Sequence, residues 1–270
     1  MTRGSLRAAV LAALACAAAV CAPAICAPAS AQDMLRGVDL SLPAYSRSDF
    51  SREDIVAALK SQSQGAPLDL SGASLNGLDL SGLDLSHVNL RAARLVKTRL
   101  AGAKLDGAIL DQAWLFEADL TGASLVGAHL FATQMQRARA DGADFSRARI
   151  AGDLTGAQLR GAKFIESNMS ADMKNQSMGL MRAVLASAIA EGADFSRADL
   201  MSADLRYLHA ARADFSGASL QGADAAGADF TGVKWDGAKV QGLDLDSARI
   251  DDAAAPLLKD AKGLRAAPTK

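Results

Sequence analysis

Aromatic side chains make up only 4% of this 270-residue chain, although half of its residues are hydrophobic. Wide apolar side chains are too scarce for a conventional core. Ala and Gly carry much of the composition instead, which points to a small unit used many times. Cysteine is confined to Cys16, Cys21 and Cys26, all within the first 31 residues. Beyond that stretch, disulfides, zinc thiolates and thiol nucleophiles are excluded together. Histidine is as sparse: His87, His129 and His209 stand far apart, with no nucleophile beside them. A dominant charge is missing too, because 29 basic residues face 30 acidic ones. That balance is too even to steer the chain to nucleic acid or an anionic membrane.

The one long apolar run, "AAVLAALACAAAVCA", sits between Arg3 and Arg7 on one side and "APASA" on the other. It is expected to be a secretory signal peptide over 1–31, cut after Ala31. It is too short and too Ala-rich for an anchor, which takes about 20 apolar residues. No transmembrane segment is expected, and the mature chain is expected in the periplasm or outside the cell. "ALAC" around Cys16 leaves a lipid-anchored form as the alternative.

What is abundant is a period of five. A bulky apolar residue recurs every fifth position, with a small residue two places before it. The register runs from Leu70 to Ile150, loses one residue, resumes from Leu154 to Met169, and runs again from Leu185 to Ile250. In "ADLTG", residues 118–122, Ala118 and Leu120 point one way and Asp119 the other, as in a strand. Thr121 and Gly122 then suit a tight turn. A three-residue strand and a two-residue corner, repeated, must coil into a β-solenoid with Ala and Leu inside.

The units "ADLTGASLVGAHL", "ADFSRADLMSADL" and "ADFSGASL" resemble the pentapeptide repeat family, whose motif is A(D/N)LXX. The resemblance implies an all-β, right-handed, four-sided β-helix with 20 residues per coil, spanning 67–252. Residues 20 apart then stack, so Asp79, Arg99, Asp119 and Arg139 form a ladder of alternating sign. Phe145 and Phe164 share an interior face, as do Phe195, Phe215 and Trp235. If these five form one ladder, the irregular stretch near 170–184 is an insertion of about 11 residues within one side. Ala225, standing where a bulky residue is expected, leaves room for neighbouring rings.

Solenoid ends need caps. Within the N-terminal segment 32–66, "SREDIVAALKSQ" places Ser51 and Asp54 at capping-box spacing and reads as a short helix. Within the C-terminal segment 253–270, a short helix is expected near Pro256.

Catalysis is not expected, because a filled column offers no cleft to perturb a pKa. No cofactor is expected either. The candidate features are outward. Asp204, Asp224 and Asp244 stack as like charges, either as a docking strip for a basic partner, as a weak cation site, or as residues that satisfy nearby backbone amides. Met173, Met178 and Met181 in the insertion suit a protein contact or, as thioethers, Cu(I). The favoured function is an exported scaffold or protein-interaction module, its partner and oligomeric state open. The resemblance supplies an alternative, since some family members act in the cytoplasm as acidic, DNA-shaped inhibitors of DNA gyrase.

Overall fold

In one five-residue unit, 118–122, every backbone N–H has a destination. Ala118 donates back to Leu115 O at 3.0 Å, closing the preceding turn, and Asp119 donates to Thr98 O in the coil before at 2.9 Å. Leu120 and Gly122 donate to Arg139 O and Asp141 O in the coil after, at 2.6 and 2.9 Å. That leaves the first corner residue, Thr121, and its N–H is taken by the Asp119 carboxylate at 3.1 Å. A buried amide without a partner is costly, so a unit of this shape asks for Asp or Asn at its second position.

The computed structural model describes residues 42–61, 67–171 and 181–264. All lie in one unit by internal contacts, 39–270. Parallel bridges join outward residues 20 apart into four ladders. The first runs from Asp69 through Asn89 and Ile109 to Lys239, and the second from Ser74 through Arg94 and Trp114 to Lys262. The third runs from Asp79 through Arg99 and Asp119 to Arg249, and the fourth from Asp84 through Lys104 and Asp144 to Lys234. Four ladders in a 20-residue turn make a four-sided solenoid. Only at β1 (His129–Gln134) and β2 (Arg149–Asp153), paired in parallel, do the short sides lengthen into regular strands.

The second corner residue of nearly every described unit takes positive φ, +62° at Gly122. With the N–H of Ala123 donating to Leu120 O at 2.9 Å, this is a β-turn whose third residue favours Gly. Side chains occupy that position at fifteen corners, His87, Arg137 and Tyr207 among them. The missing residue between Ile150 and Leu154 is absorbed at a corner that brings backbones together. A Cβ on Gly152 would stand 2.6 Å from Thr133 O.

Inside, the central and small positions are almost all buried. On the fourth face Phe145, Phe164, Phe195, Phe215 and Trp235 form one stack, with successive centroids 5.0, 4.8, 4.8 and 5.4 Å apart. The stack crosses the irregular stretch unbroken, because Lys163 bridges Asp194 and Gln158 bridges Ile189, an offset of 31 in place of 20. The excess of 11 residues therefore falls within a single side. Ala225 is fully buried, and Phe230 beside it packs edge-on against both Phe215 and Trp235.

The first coil leaves backbone groups on its outer edge without a preceding coil. Residues 47–52 supply partners. Asp49 N–H donates to Ser74 O at 2.7 Å, Ser74 N–H donates to the Asp49 carboxylate at 2.8 Å, and Arg52 donates to Asp79 O at 2.6 Å. Short helix α1 (Pro43–Ser46) precedes this strap, and Tyr45 stacks on Trp114 at 5.9 Å. Helix α2 (Arg52–Ser61) follows, begun by a reciprocal pair in which Ser51 N–H donates to Asp54 and Asp54 N–H donates to Ser51 Oγ. Its Ile55 is buried in the column's core. At the far end a 3₁₀ helix spans Asp252–Leu258, starting four residues before Pro256 and burying Leu258. Leu245 N–H then donates to Lys262 O, and Lys262 N–H to Leu243 O. No helix among the described residues is long and apolar enough to cross a membrane.

Candidate functional site

Ion pairs join neighbouring coils at some ladder positions and at several corners. Arg99 meets Asp79 at 2.7 Å, and Lys97 and Arg137 flank Glu117 at 3.6 and 2.9 Å, with the Arg137 guanidinium over the Phe116 ring at 4.4 Å. Hydrogen bonding from Arg99, then from Ser81, holds the Asp79 carboxyl well below the ordinary carboxylate range. Such exposed pairs each contribute little, of order 0–1 kcal/mol.

Asp204, Asp224 and Asp244 do stack, each bridging the next. Their environments diverge sharply. Asp204 has no exposed side-chain surface and is held by Arg206 at 2.6 Å and Arg182 at 3.3 Å. A buried carboxylate requires such pairing. Arg206 also lies 3.7 Å from the half-exposed Asp224. All three aspartates accept the first-corner N–H of their own units, from Arg206, Ala226 and Asp246. The same cap recurs at Asp69, Asp144, Asp194, Asp214 and Asp229. Turn capping thus explains the recurrence of Asp, and the two arginines explain why a like-charge stack is tolerable.

Arg182 ends the insertion and was not legible as a partner, because it lies outside the repeat register. Met173 and Met178 lie outside the described residues, while Met181 is partly exposed beside Arg182. Two further side chains were missed. Met201 and Tyr207 occupy corner positions of the Asp204 coil and are exposed. The only sequence signal was a bulky side chain where Gly or a small polar residue usually stands.

Chemistry finds little purchase. No group of three or more His, Cys, Asp or Glu among the described residues is arranged to hold a metal ion. An open hollow against α2 is lined by Arg52, Glu53, Val56, Ala57 and Lys60.

No curated protein matches the chain. Among solved structures, full-length QnrB1, a plasmid-mediated fluoroquinolone resistance protein, is 18% identical with a TM-score of 0.52, over 70% of this chain and 98% of its own. HetL, a pentapeptide repeat protein involved in heterocyst differentiation regulation in the cyanobacterium Nostoc, is 26% identical over 75% of this chain and 98% of its own, with a TM-score of 0.22. The likeness to QnrB1 is one of fold. Pentapeptide repeats match in eight copies over residues 68–91, 84–122, 113–152, 180–210 and 212–252. More than half of the sequence is thus accounted for, and the chain belongs to the pentapeptide repeat family.

Proposed function

We propose that this protein is an exported, non-catalytic, right-handed quadrilateral β-helix that serves as a scaffold or protein-interaction module. One observation carries the reading: the interior is filled by Ala, Leu and Phe side chains, so specificity can reside only on outward positions. Those positions vary from coil to coil at little cost to the fold. Export rests on the N-terminal segment, with Arg3, Arg7 and the small residues before Gln32.

Two measurements test it. Cell fractionation of a C-terminally tagged chain should recover a form shortened by about 31 residues outside the cytosol, and an uncleaved cytosolic chain would overturn export. Crosslinking and capture from the same compartment should then recover a discrete partner, whereas a chain that captures none at any salt concentration is no interaction module.

The family resemblance supplies a second reading for a chain retained in the cytoplasm, a DNA-mimic-type inhibitor of a DNA-binding protein such as gyrase. Inhibition of gyrase supercoiling by purified residues 32–270 would move the function there. A Cu(I) role for Met173, Met178 and Met181 is the third, and failure to take Cu(I) from a competing chelator ends it.

A further inference from the structure

Among the described residues, the column exposes large apolar side chains in one place. Leu42, Phe50 and Leu257 belong to the end segments, and the remaining two, Met201 and Tyr207, flank the second face of a single coil. Tyr207 is 61% exposed, yet its ring has a fixed seat. Its backbone takes φ +57°, and the ring lies against Gly227 in the next coil, where an added Cβ would fall 2.6 Å from ring carbons. One side of the ring is therefore supported and the other is open.

Gly227 follows Asp224 by three residues, which puts that carboxylate on the same part of the surface. Asp224 Oδ1 accepts from the Ala226 N–H, and among the described residues Oδ2 has only the distant Arg206 Nε at 3.7 Å. Arg206 is committed elsewhere, at 2.6 and 2.9 Å to Asp204. Asp244 in the following coil caps Asp246 and has no cationic side chain within ion-pair distance among the described residues. Some outward acids elsewhere are answered from the neighbouring coil, as Asp79 is by Arg99 and Asp214 by Lys234. Here Arg182 and Arg206 are spent on the buried Asp204, and Lys262, next to Asp244 on the ladder, makes no ion pair with it.

We propose that this face docks a basic segment of a partner protein. A lysine or arginine lies over the open side of Tyr207 with Asp224 and Asp244 as its counter-ions, and an adjacent apolar side chain rests on Met201. The ring quadrupole attracts cations, tyrosine is enriched among residues that dominate binding, and a pre-seated ring loses little entropy on binding. The inference rests on the interaction-module reading and names its face.

A fluorescein-labelled nonapeptide alternating lysine and leucine is the probe, with a glutamate-for-lysine version as control, read by fluorescence polarisation at about 0.15 M salt. The lysine peptide binds and the glutamate peptide does not. Tyr207→Phe keeps binding, while Tyr207→Ala and Asp224→Asn each weaken it roughly tenfold. Tyr207 is exposed and Asn retains the turn-capping oxygen, so the thermal midpoints of these variants stay near wild type. No binding of the lysine peptide to wild type, or binding unchanged by both variants, overturns the proposal. A natural partner captured equally well by Tyr207→Ala and Asp224→Asn overturns this face while leaving the interaction-module reading intact.

Discussion

The coils before and after residue 140 fill the same bore with different side chains. In the earlier coils leucines stand on adjacent faces, Leu80 beside Leu85, Leu100 beside Leu105 and Leu120 beside Leu125, all buried. In the later coils a ring is accompanied by alanine five residues before it: Ala140 with Phe145, Ala190 with Phe195, Ala210 with Phe215, and Ala225 with Phe230. Leu159 beside Phe164, just after the coil that lacks a corner residue, and Phe230 beside Trp235 depart from this. Protein interiors are packed to near-crystalline density. What the repeat conserves is therefore the volume of each cross-section rather than the identity of any one position. Outside, the contrast is of another kind. Ion pairs between neighbours occur in both halves, whereas the Asp204 coil buries one carboxylate under two arginines and exposes Tyr207 and Met201.

The largest expected effect lies in the later core. Phe195→Ala removes a ring stacked at 4.8 Å on both sides, and should cost roughly 3–5 kcal/mol in chemical denaturation. Leu105→Ala should fall at or below the lower end of that range, about 2–3 kcal/mol. Equal losses would erase the distinction between the two halves. Gly152→Ala comes next. Its Cβ would meet backbone, Thr133 O, that cannot yield as a side chain can, so a loss of about 1–3 kcal/mol is expected. An unchanged denaturation midpoint would show that the short coil is not built on backbone contact.

Period five was legible because interior stacking demands a small and a bulky residue in every unit, whatever stands outside. The 11-residue excess before Leu185 was legible for the same reason, since Phe164 and Phe195 had to share a face. Contacts that break the period were not. Tyr45 reaches Trp114 across 69 positions with no pattern to announce it. Gly152 looked like one more turn glycine, although its role is close backbone approach. The Asp204 triad depended on Arg182, which no register could place. Met201 and Tyr207 stood in plain view, but only the corner geometry, with Gly227 under the ring, gave them meaning.

Two smaller effects sharpen the comparison by being equal in both halves. Asp119→Ala removes the acceptor of the Thr121 N–H, and Asp194→Ala that of Ser196. Each should cost about 0.5–1.5 kcal/mol, and a large difference between them would mean that the cap is not the common function of these aspartates. Acid dependence is milder still. Asp229 is held below the ordinary carboxylate value, first by its Thr231 hydrogen bond, and Asp84 likewise by Ser86. A carboxyl depressed in the folded state contributes stability above its unfolded pKa, near 4, and loses it as pH falls through the folded value. Thermal midpoints should therefore be level from about pH 7 to pH 5 and decline below about pH 4. A rise in stability on acidification would contradict the paired, capped surface.

The double-mutant cycle of Ala140→Leu with Phe145→Leu tests volume matching most directly, because together they convert the boundary coil into the leucine pattern of the coil above. Ala140→Leu alone should overpack by roughly 1–3 kcal/mol, and Phe145→Leu alone should leave a void costing about 1 kcal/mol. In urea denaturation the double variant should lie closer to wild type than Ala140→Leu does, with a coupling of at least about 1 kcal/mol. Additive losses would show that each interior position is chosen on its own, and the account would fail there.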